Sequence, residues 1–122
     1  GYVVCSPGGR VGEVGEANLL ESGQNDRAAA YAMTAQSYGF KLLYLEAGSG
    51  AHTPVDPELI RTARESCNLT LIVGGGIRDG ATARRAVEAG ADWIITGNLT
   101  ESFDDADELQ RVLKEFISTM NS

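Results

Sequence analysis

The chain has 122 residues, a hydrophobic fraction of 43% and a formal net charge of -7. This length is enough for one domain with one modest core. The hydrophobic fraction argues against a disordered chain. The negative charge argues against non-specific binding to nucleic acid or to anionic lipid headgroups, because both would repel it. No apolar run approaches the ~20 residues of a membrane span, so contact with a membrane would be peripheral.

The cysteine and histidine content argues against a zinc site. Cys5 and Cys67 do not form a CxxC pair, and His52 is the single histidine; structural zinc needs four such ligands. We therefore expect both thiols to be reduced and structural, as in a cytoplasmic protein. His52 stands in a polar loop and is expected to be solvated.

The first strand is predicted at Tyr2-Val3-Val4-Cys5, a β-branched and aromatic run that stops at Ser6-Pro7-Gly8-Gly9. Residues 6–25 hold five glycines and little periodicity, so we expect a long loop and a candidate for mobility. Asn25 or Asp26 is expected to cap a helix over about 27–38. Because the chain opens directly on a strand and not on methionine, we expect it to be part of a longer protein.

Three further strand–helix units follow. Strands are predicted over 42–45, 69–73 and 93–95, and helices over about 57–67, 80–89 and 105–120. Asp56 and Asp79 are expected to cap the first two of these helices. The last helix has one apolar face, made of Leu109, Val112, Leu113 and Phe116.

Alternation of short apolar strands with helices predicts an α/β fold built from parallel βα units. Each strand is followed by a glycine-rich segment, whereas the returns from helix to strand are tight. This asymmetry places binding loops at the carboxyl ends of the strands, as in a TIM-type (βα)8 barrel. A doubly wound sheet would bind ligands at the same edge and is the alternative fold.

Two glycine loops are candidates for phosphate binding. Gly74-Gly75-Gly76-Ile77 lies between a strand and a helix, where backbone N–H groups can approach an anion. Alone, this run is equally compatible with a tight turn. Thr96-Gly97-Asn98 ends the next strand, and barrel phosphates commonly sit between the last two such loops. The pair therefore predicts one shared phosphate site.

Glu46 is the candidate catalytic residue. It follows three apolar strand residues, and strand alternation sends Tyr44 and Glu46 to one face and Leu45 to the other. A carboxylate is costly to bury unless it serves a partner or ligand. We expect it to accept hydrogen bonds from substrate hydroxyls and to be able to take a proton. The alternative is a solvated glutamate at a strand end.

Two weaker signals remain. Arg78 could form a surface pair with Asp79 or lie near the phosphate, and both placements are open. The acidic run 104–108 looks like a metal site, but acidic residues also favour a helix N-terminus. We expect it to begin the last helix.

The motifs YLEAGSGA (44–51), LIVGGGIR (71–78) and IITGN (94–98) together resemble the geranylgeranylglyceryl phosphate synthase family. The resemblance implies that residues 1–122 are the C-terminal half of one phosphate-binding barrel domain, strands five to eight, with the N-terminal half absent. It implies a prenyltransferase that joins sn-glycerol 1-phosphate to an allylic prenyl diphosphate, geranylgeranyl diphosphate, in archaeal-type lipid synthesis. The reaction would need Mg2+, with no metal ligand in this chain and the ligands in the missing half. A homo-oligomer is expected, and the isolated chain is expected to be inactive.

The resemblance also assigns residues. Tyr44 and Glu46 match positions that contact the glycerol hydroxyls. The substrate-binding loop around them comprises Leu45, Ala47, Gly48, Ser49 and Gly50, and the phosphate cradle comprises Gly75, Gly76, Gly97 and Asn98. Ser6-Pro7-Gly8-Gly9 departs from the family's usual order of proline, glycine and serine. Two alternatives stay open: another phosphate-binding barrel enzyme, similar to a thiamine phosphate synthase or a pentose-phosphate epimerase, and a non-catalytic phosphate-binding half-barrel.

Overall fold

Four parallel strands form one sheet in the order β1-β2-β3-β4 in the computed structural model, which describes residues 1–122. The strands are β1 (Tyr2–Val4), β2 (Leu42–Glu46), β3 (Thr70–Gly74) and β4 (Trp93–Ile95). The helices are α1 (Gly9–Val14), α2 (Asn25–Ser37), α3 (Pro57–Ser66), α4 (Gly80–Ala89), α5 (Asn98–Glu101) and α6 (Ala106–Met120). The predicted parallel α/β fold is thereby confirmed. No helix combines the length and apolarity needed to cross a bilayer.

The core lies on one face of the sheet, between the strands and the helices. Leu43, Leu45, Leu71 and Val73 alternate along β2 and β3 and are at most 2% exposed, because these side chains point towards the helix layer. The other face is open. Its side chains include Tyr2, Leu42, Trp93 and Ile95, each between 45% and 60% exposed.

Asp56 and Asp79 cap α3 and α4 as predicted. The Asp56 carboxylate accepts a hydrogen bond from the Glu58 N–H at 2.9 Å, and Asp79 accepts one from the Thr82 N–H at 2.7 Å. The acidic run 104–108 begins the last helix in the same way, since Asp105 accepts from the Asp107 N–H at 2.9 Å.

The predicted cap of α2 is wrong. The helix begins at Asn25, so Asn25 and Asp26 lie in its first turn, and the capping residue is Gln24 without a side-chain cap. The Gln24 side-chain oxygen instead accepts hydrogen bonds from the Glu21 N–H at 2.9 Å and from the Arg27 guanidinium at 2.7 Å. With these local hydrogen bonds, the helix begins two residues earlier than the sequence predicts.

The predicted loop over residues 6–25 is also corrected, because it contains α1 and is fastened to the sheet. Leu20 is fully buried and pairs with Cys5. The Leu20 N–H donates to the Val4 carbonyl at 2.9 Å, and the Ser6 N–H donates to the Leu20 carbonyl at 2.9 Å. These bonds cover the outer edge of β1 at its carboxyl end. Another short helix, α5, was also not predicted.

Cys5 and Cys67 are free, buried thiols, as expected for structural cysteines. Burial, followed by the nearby negative charge of Glu46, raises the pKa of Cys5 to about 12. The thiol therefore stays protonated near neutral pH, and a protonated thiol is a poor nucleophile.

Removal of the α4 cap should destabilise the protein in a pH-dependent way. The hydrogen bonds from Thr82 lower the pKa of Asp79 from 3.8, so its contribution is complete above that value and is lost as the pH falls through the lowered one. In the full-length protein, Asp79→Ala should reduce the free energy of unfolding by about 1 kcal/mol at neutral pH, measured by urea denaturation. Asp104→Ala, an exposed carboxylate outside any cap, is the control. A deficit in Asp79→Ala that persists undiminished well below pH 3.8 would contradict the assignment.

The open sheet face should drive self-association of the isolated 122-residue chain. Trp93 is the single tryptophan and is 60% exposed on that face, and apolar area of this kind favours association. We expect light scattering to show oligomers, and the Trp93 emission to shift to the blue as concentration rises. Trp93→Ser should weaken association more than Tyr38→Ser, an exposed aromatic outside the sheet. A monomer at all concentrations would refute this expectation.

Candidate functional site

The carboxyl ends of β2, β3 and β4 surround a cavity of about 100 Å³. The loops that follow the three strands form its wall, because parallel strands direct all their carboxyl ends to one edge. The lining residues are Tyr44, Glu46, Ser49, Gly50, Gly75, Gly76, Ile77, Arg78, Ile95, Thr96, Gly97 and Asn98. Among them Glu46 is the only acidic side chain and Arg78 the only basic one.

Glu46 is buried, which excludes the solvated strand-end glutamate. Its side chain is 6% exposed, and it pairs in register with Val4 of β1 and Gly74 of β3. One carboxylate oxygen, Oε1, accepts a hydrogen bond from the Gly48 N–H at 2.8 Å. The β2 loop therefore turns back on the carboxylate and stabilises its charge through a backbone donor.

Two tyrosines lie beside this carboxylate on the open face of the sheet. The Tyr2 and Tyr44 rings meet edge to face, with centroids 4.9 Å apart at 84°. Burial raises the pKa of the Tyr44 hydroxyl, and hydrogen bonding to Glu46 together with its negative charge raises it further. Burial and then the charge of Glu46 also raise the pKa of Tyr2. Both phenols are therefore neutral hydrogen-bond donors at neutral pH.

Three loops converge on Gly50. The Arg78 guanidinium donates to the Gly50 carbonyl at 3.0 Å. The Asn98 side-chain nitrogen lies 3.0 Å from the position that a Cβ on Gly50 would occupy. The Thr96 hydroxyl donates to the Ile77 carbonyl at 2.8 Å and ties the loop after β4 to the loop after β3. Arg78 thus lies at the predicted phosphate loops and not in a surface pair with Asp79.

The backbone angles and close neighbouring atoms of this chain require glycine at positions 75 and 76. Their φ angles are 89° and 71°, a region that favours glycine. A Cβ on Gly75 would lie 2.7 Å from the Gly48 backbone nitrogen, and one on Gly76 would lie 2.9 Å from the Pro54 nitrogen. These two glycines allow the loops after β2 and β3 to pack closely.

Neither the backbone angle nor a close neighbouring atom of this chain requires glycine at position 97. Its φ of -113° suits any residue, and the nearest protein atom to an added Cβ is a Glu101 carboxylate oxygen at 3.9 Å. Gly97 lines the cavity, and a Cβ at this position would meet no close atom of this chain.

Most of the predicted site residues line the cavity, but three do not. The Leu45 and Ala47 side chains lie in the core, 2% and 0% exposed. Gly48 lies behind Glu46 and supplies its N–H. Sequence reasoning missed Ile95, which strand alternation from Trp93 would have placed on the open face.

Two further concavities frame this site. One of about 480 Å³ adjoins Glu46 on the side of α1, lined by Tyr2, Arg10, Val11, Val14, Tyr44, Glu46 and Ser49. Another of about 360 Å³ lies beside α3 and α4 and shares only Ile77 with the cavity at the strand ends. It contains none of the predicted binding residues. His52 lies there, exposed as predicted.

A model of the PcrB family matches residues 1–120. The chain belongs to the PcrB family. It is 46% identical over 121 residues to geranylgeranylglyceryl phosphate synthase of Thermoplasma volcanium, covering 99% of this chain and 47% of the relative. It is 47% identical over 117 residues to the synthase of Thermococcus gammatolerans, covering 96% and 46%. The chain thus spans about half the length of the curated relatives it matches.

Solved structures of PcrB-family relatives have the same fold as this chain. The wild-type synthase of Thermoplasma volcanium matches with a TM-score of 0.89 at 45% identity, over 98% of this chain and 47% of that one. The Thermoplasma acidophilum synthase, crystallised in complex with substrate sn-glycerol-1-phosphate, also gives 0.89, at 36% identity over 98% and 47%.

Proposed function

We propose that this chain is the acceptor-binding half of a geranylgeranylglyceryl phosphate synthase. The full-length protein would join sn-glycerol 1-phosphate to geranylgeranyl diphosphate through an ether bond, in archaeal-type lipid synthesis. The observation that carries the proposal is the cavity itself, where a buried carboxylate and two glycine loops face each other. The family membership of the chain and the acceptor bound to a relative support the assignment.

We infer that β1 to β4 are strands five to eight of a (βα)8 barrel whose C-terminal half is residues 1–122. The open face with Tyr2, Leu42 and Trp93 and the coverage of 47% of the relatives both support this inference. A barrel interior is filled by side chains of this kind. The remaining strands would bury the face and pair with the outer edge of β4 and with the part of the β1 edge that Leu20 leaves open.

The acceptor phosphate would occupy the open space above Gly97, between this loop and Gly75-Gly76. Backbone N–H groups in glycine loops approach phosphate oxygens closely. Asn98 adds a side-chain amide, and Arg78 adds the only positive charge of the cavity. Because Arg78 also binds the Gly50 carbonyl, it would hold the substrate loop against the phosphate site.

The glycerol hydroxyls would meet Tyr44 and Glu46 at the other end of the cavity. In the reaction the 3-hydroxyl oxygen forms a bond to the allylic carbon while the bond between that carbon and the diphosphate oxygen breaks. Diphosphate leaves with the bonding electrons, and the hydroxyl proton passes to Glu46 or to solvent. A carboxylate aims the hydroxyl through a charge-assisted hydrogen bond, and holding the two reactants in register lowers the entropic part of the barrier.

The donor would approach from the side of α1. The concavity there borders Glu46 and presents Tyr2, Val11 and Val14 together with the basic Arg10. Apolar side chains suit an allylic chain, and a guanidinium suits a diphosphate. The rest of the prenyl groove would come from residues outside this chain.

Magnesium dependence is part of the proposal, but the residues present do not form its site. No group of three or more histidine, cysteine, aspartate or glutamate side chains in the chain could hold a metal ion. We place the ligands outside these 122 residues. We also propose that the full-length protein is cytoplasmic and homo-oligomeric, and that this chain alone is inactive.

Substitution at Gly97 should weaken acceptor binding without disturbing the fold. In the full-length protein, Gly97→Val should raise the dissociation constant of sn-glycerol 1-phosphate more than tenfold, about 1.4 kcal/mol, measured by calorimetry. Ala30→Val, an exposed position of α2, is the control. The same change at Gly75 is less informative, because its Cβ would strike the Gly48 backbone. Unchanged affinity in a folded Gly97→Val protein would refute the phosphate cradle.

Loss of the Glu46 charge should mainly reduce the rate. Glu46→Gln keeps the shape of the side chain and one oxygen that can accept a hydrogen bond. The affinity for sn-glycerol 1-phosphate should therefore change little. We expect kcat of the full-length enzyme to fall about 10²-fold, the lower range for general-base groups. Glu65→Gln, an exposed carboxylate on α3, should behave as wild type. A wild-type rate in Glu46→Gln would leave this glutamate a structural role only.

A further inference from the structure

Gly74 differs from the other glycines that approach the Glu46 carboxylate. Gly48, which donates to this carboxylate, and Gly75 have φ angles of 102° and 89°, so their backbones alone favour glycine. Gly74 is the last residue of β3, outside the set of positive-φ glycines, and it pairs in register with Glu46 and Ile95. Glycine in a strand weakens it and often marks the close approach of another group.

The space beside Gly74 is filled by two oxygen atoms of the candidate site. A Cβ on Gly74 would lie 2.5 Å from the Tyr44 hydroxyl oxygen and 2.9 Å from Glu46 Oε2. The third neighbour is the Ile95 Cβ at 3.2 Å. Contacts of 2.5 and 2.9 Å are well inside van der Waals separation, so any side chain would displace the hydroxyl, the carboxylate or both.

The register explains how the two oxygens come to share this space. On the open face, Tyr44 pairs with Ile72, and the next pair towards the carboxyl ends of the strands is Glu46 with Gly74. The Tyr44 side chain must therefore extend over β3 towards Gly74 for its hydroxyl to reach the Glu46 carboxylate. Only a residue without a side chain at position 74 leaves room for the hydroxyl there.

We propose that Gly74 is a positioning residue whose missing side chain lets the Tyr44 hydroxyl and the Glu46 carboxylate meet over β3 and face the acceptor together. The inference rests on the proposed function, because it assumes that this pair aims the acceptor hydroxyl. It concerns aiming and not phosphate binding, since Gly97 and Arg78 lie in the loops beyond the strand ends. Gly74 itself touches no reactant.

The test is a double-mutant cycle in the full-length enzyme with Gly74→Ala and Tyr44→Phe. Tyr44→Phe removes the atom nearest to the new Cβ, and the carboxylate can then move into the vacated space. In the wild-type background Gly74→Ala should lower kcat about 10²-fold, the loss expected for misplacement by about 1 Å, with little change in the acceptor KM. In the Tyr44→Phe background the same substitution should cost kcat less than about threefold, because residues in contact have non-additive effects.

Gly80→Ala is the matched control. Gly80 is also outside the set of positive-φ glycines, and a Cβ there would lie 2.6 Å from the Thr119 Cβ, between α4 and α6. This variant should lose stability while kcat and the acceptor KM stay at wild-type values. Equal losses of kcat from Gly74→Ala in both tyrosine backgrounds would overturn the positioning role, as would a loss of stability without a loss of kcat.

Two further outcomes keep the test decisive. If Gly74→Ala does not fold, recovery of folding in Gly74→Ala/Tyr44→Phe supports the proposal because the hydroxyl is then the obstacle, and failure to recover overturns it. The proposed function fails separately, if the full-length wild-type protein forms no ether from sn-glycerol 1-phosphate and geranylgeranyl diphosphate. An additive cycle in an enzyme that still needs Glu46 would remove only the role of Gly74.

Discussion

A buried carboxylate at the end of a parallel strand is the constraint on which the site depends. An isolated ionised group taken out of water costs several kcal/mol, so Glu46 requires donors and close backbone around it. The Gly48 N–H supplies one donor. That contact sets the path of the loop after β2, with Gly48 at a φ of 102°. A Cβ on Gly48 would lie 2.7 Å from the backbone of Gly8, so the first loop is also built around this turn.

Glycine serves three different physical purposes around the cavity. Gly75 and Gly76 satisfy backbone angles and loop packing, Gly74 leaves room for the Tyr44 hydroxyl and the Glu46 carboxylate, and Gly97 leaves room that this chain does not fill. In the sequence these glycines look alike. The distinction matters, because Gly97 is the one of these glycines that neither a positive φ nor a close atom of this chain requires.

Short sequence patterns correctly predicted features that depend on neighbouring residues, such as strand faces and two helix caps. The period of two along β2 placed Tyr44 and Glu46 on one face, and aspartates before helical runs identified the caps of α3 and α4. The wrong cap of α2 is a local failure, because Gln24 bonds Glu21 and Arg27 instead, but the other failures involve partners distant in sequence. Leu20 is fixed by hydrogen bonds to the end of β1, and nothing in the glycine-rich segment around it reveals that pairing. Arg78 reaches a carbonyl 28 residues away, so its placement stayed open until the fold was known.

In the proposed enzyme, the acceptor and the donor would bind in two different concavities that both border Glu46. The cavity is walled by the loops after β2, β3 and β4, so this chain already contains the groups that would hold the acceptor. The concavity on the other side of Glu46 is wider and more open, and this chain supplies one of its sides with Val11 and Val14. Glu46 borders both spaces. A hydroxyl aimed by this carboxylate would therefore point from the narrower cavity towards the more open concavity, where the rest of the barrel would have to hold the allylic carbon.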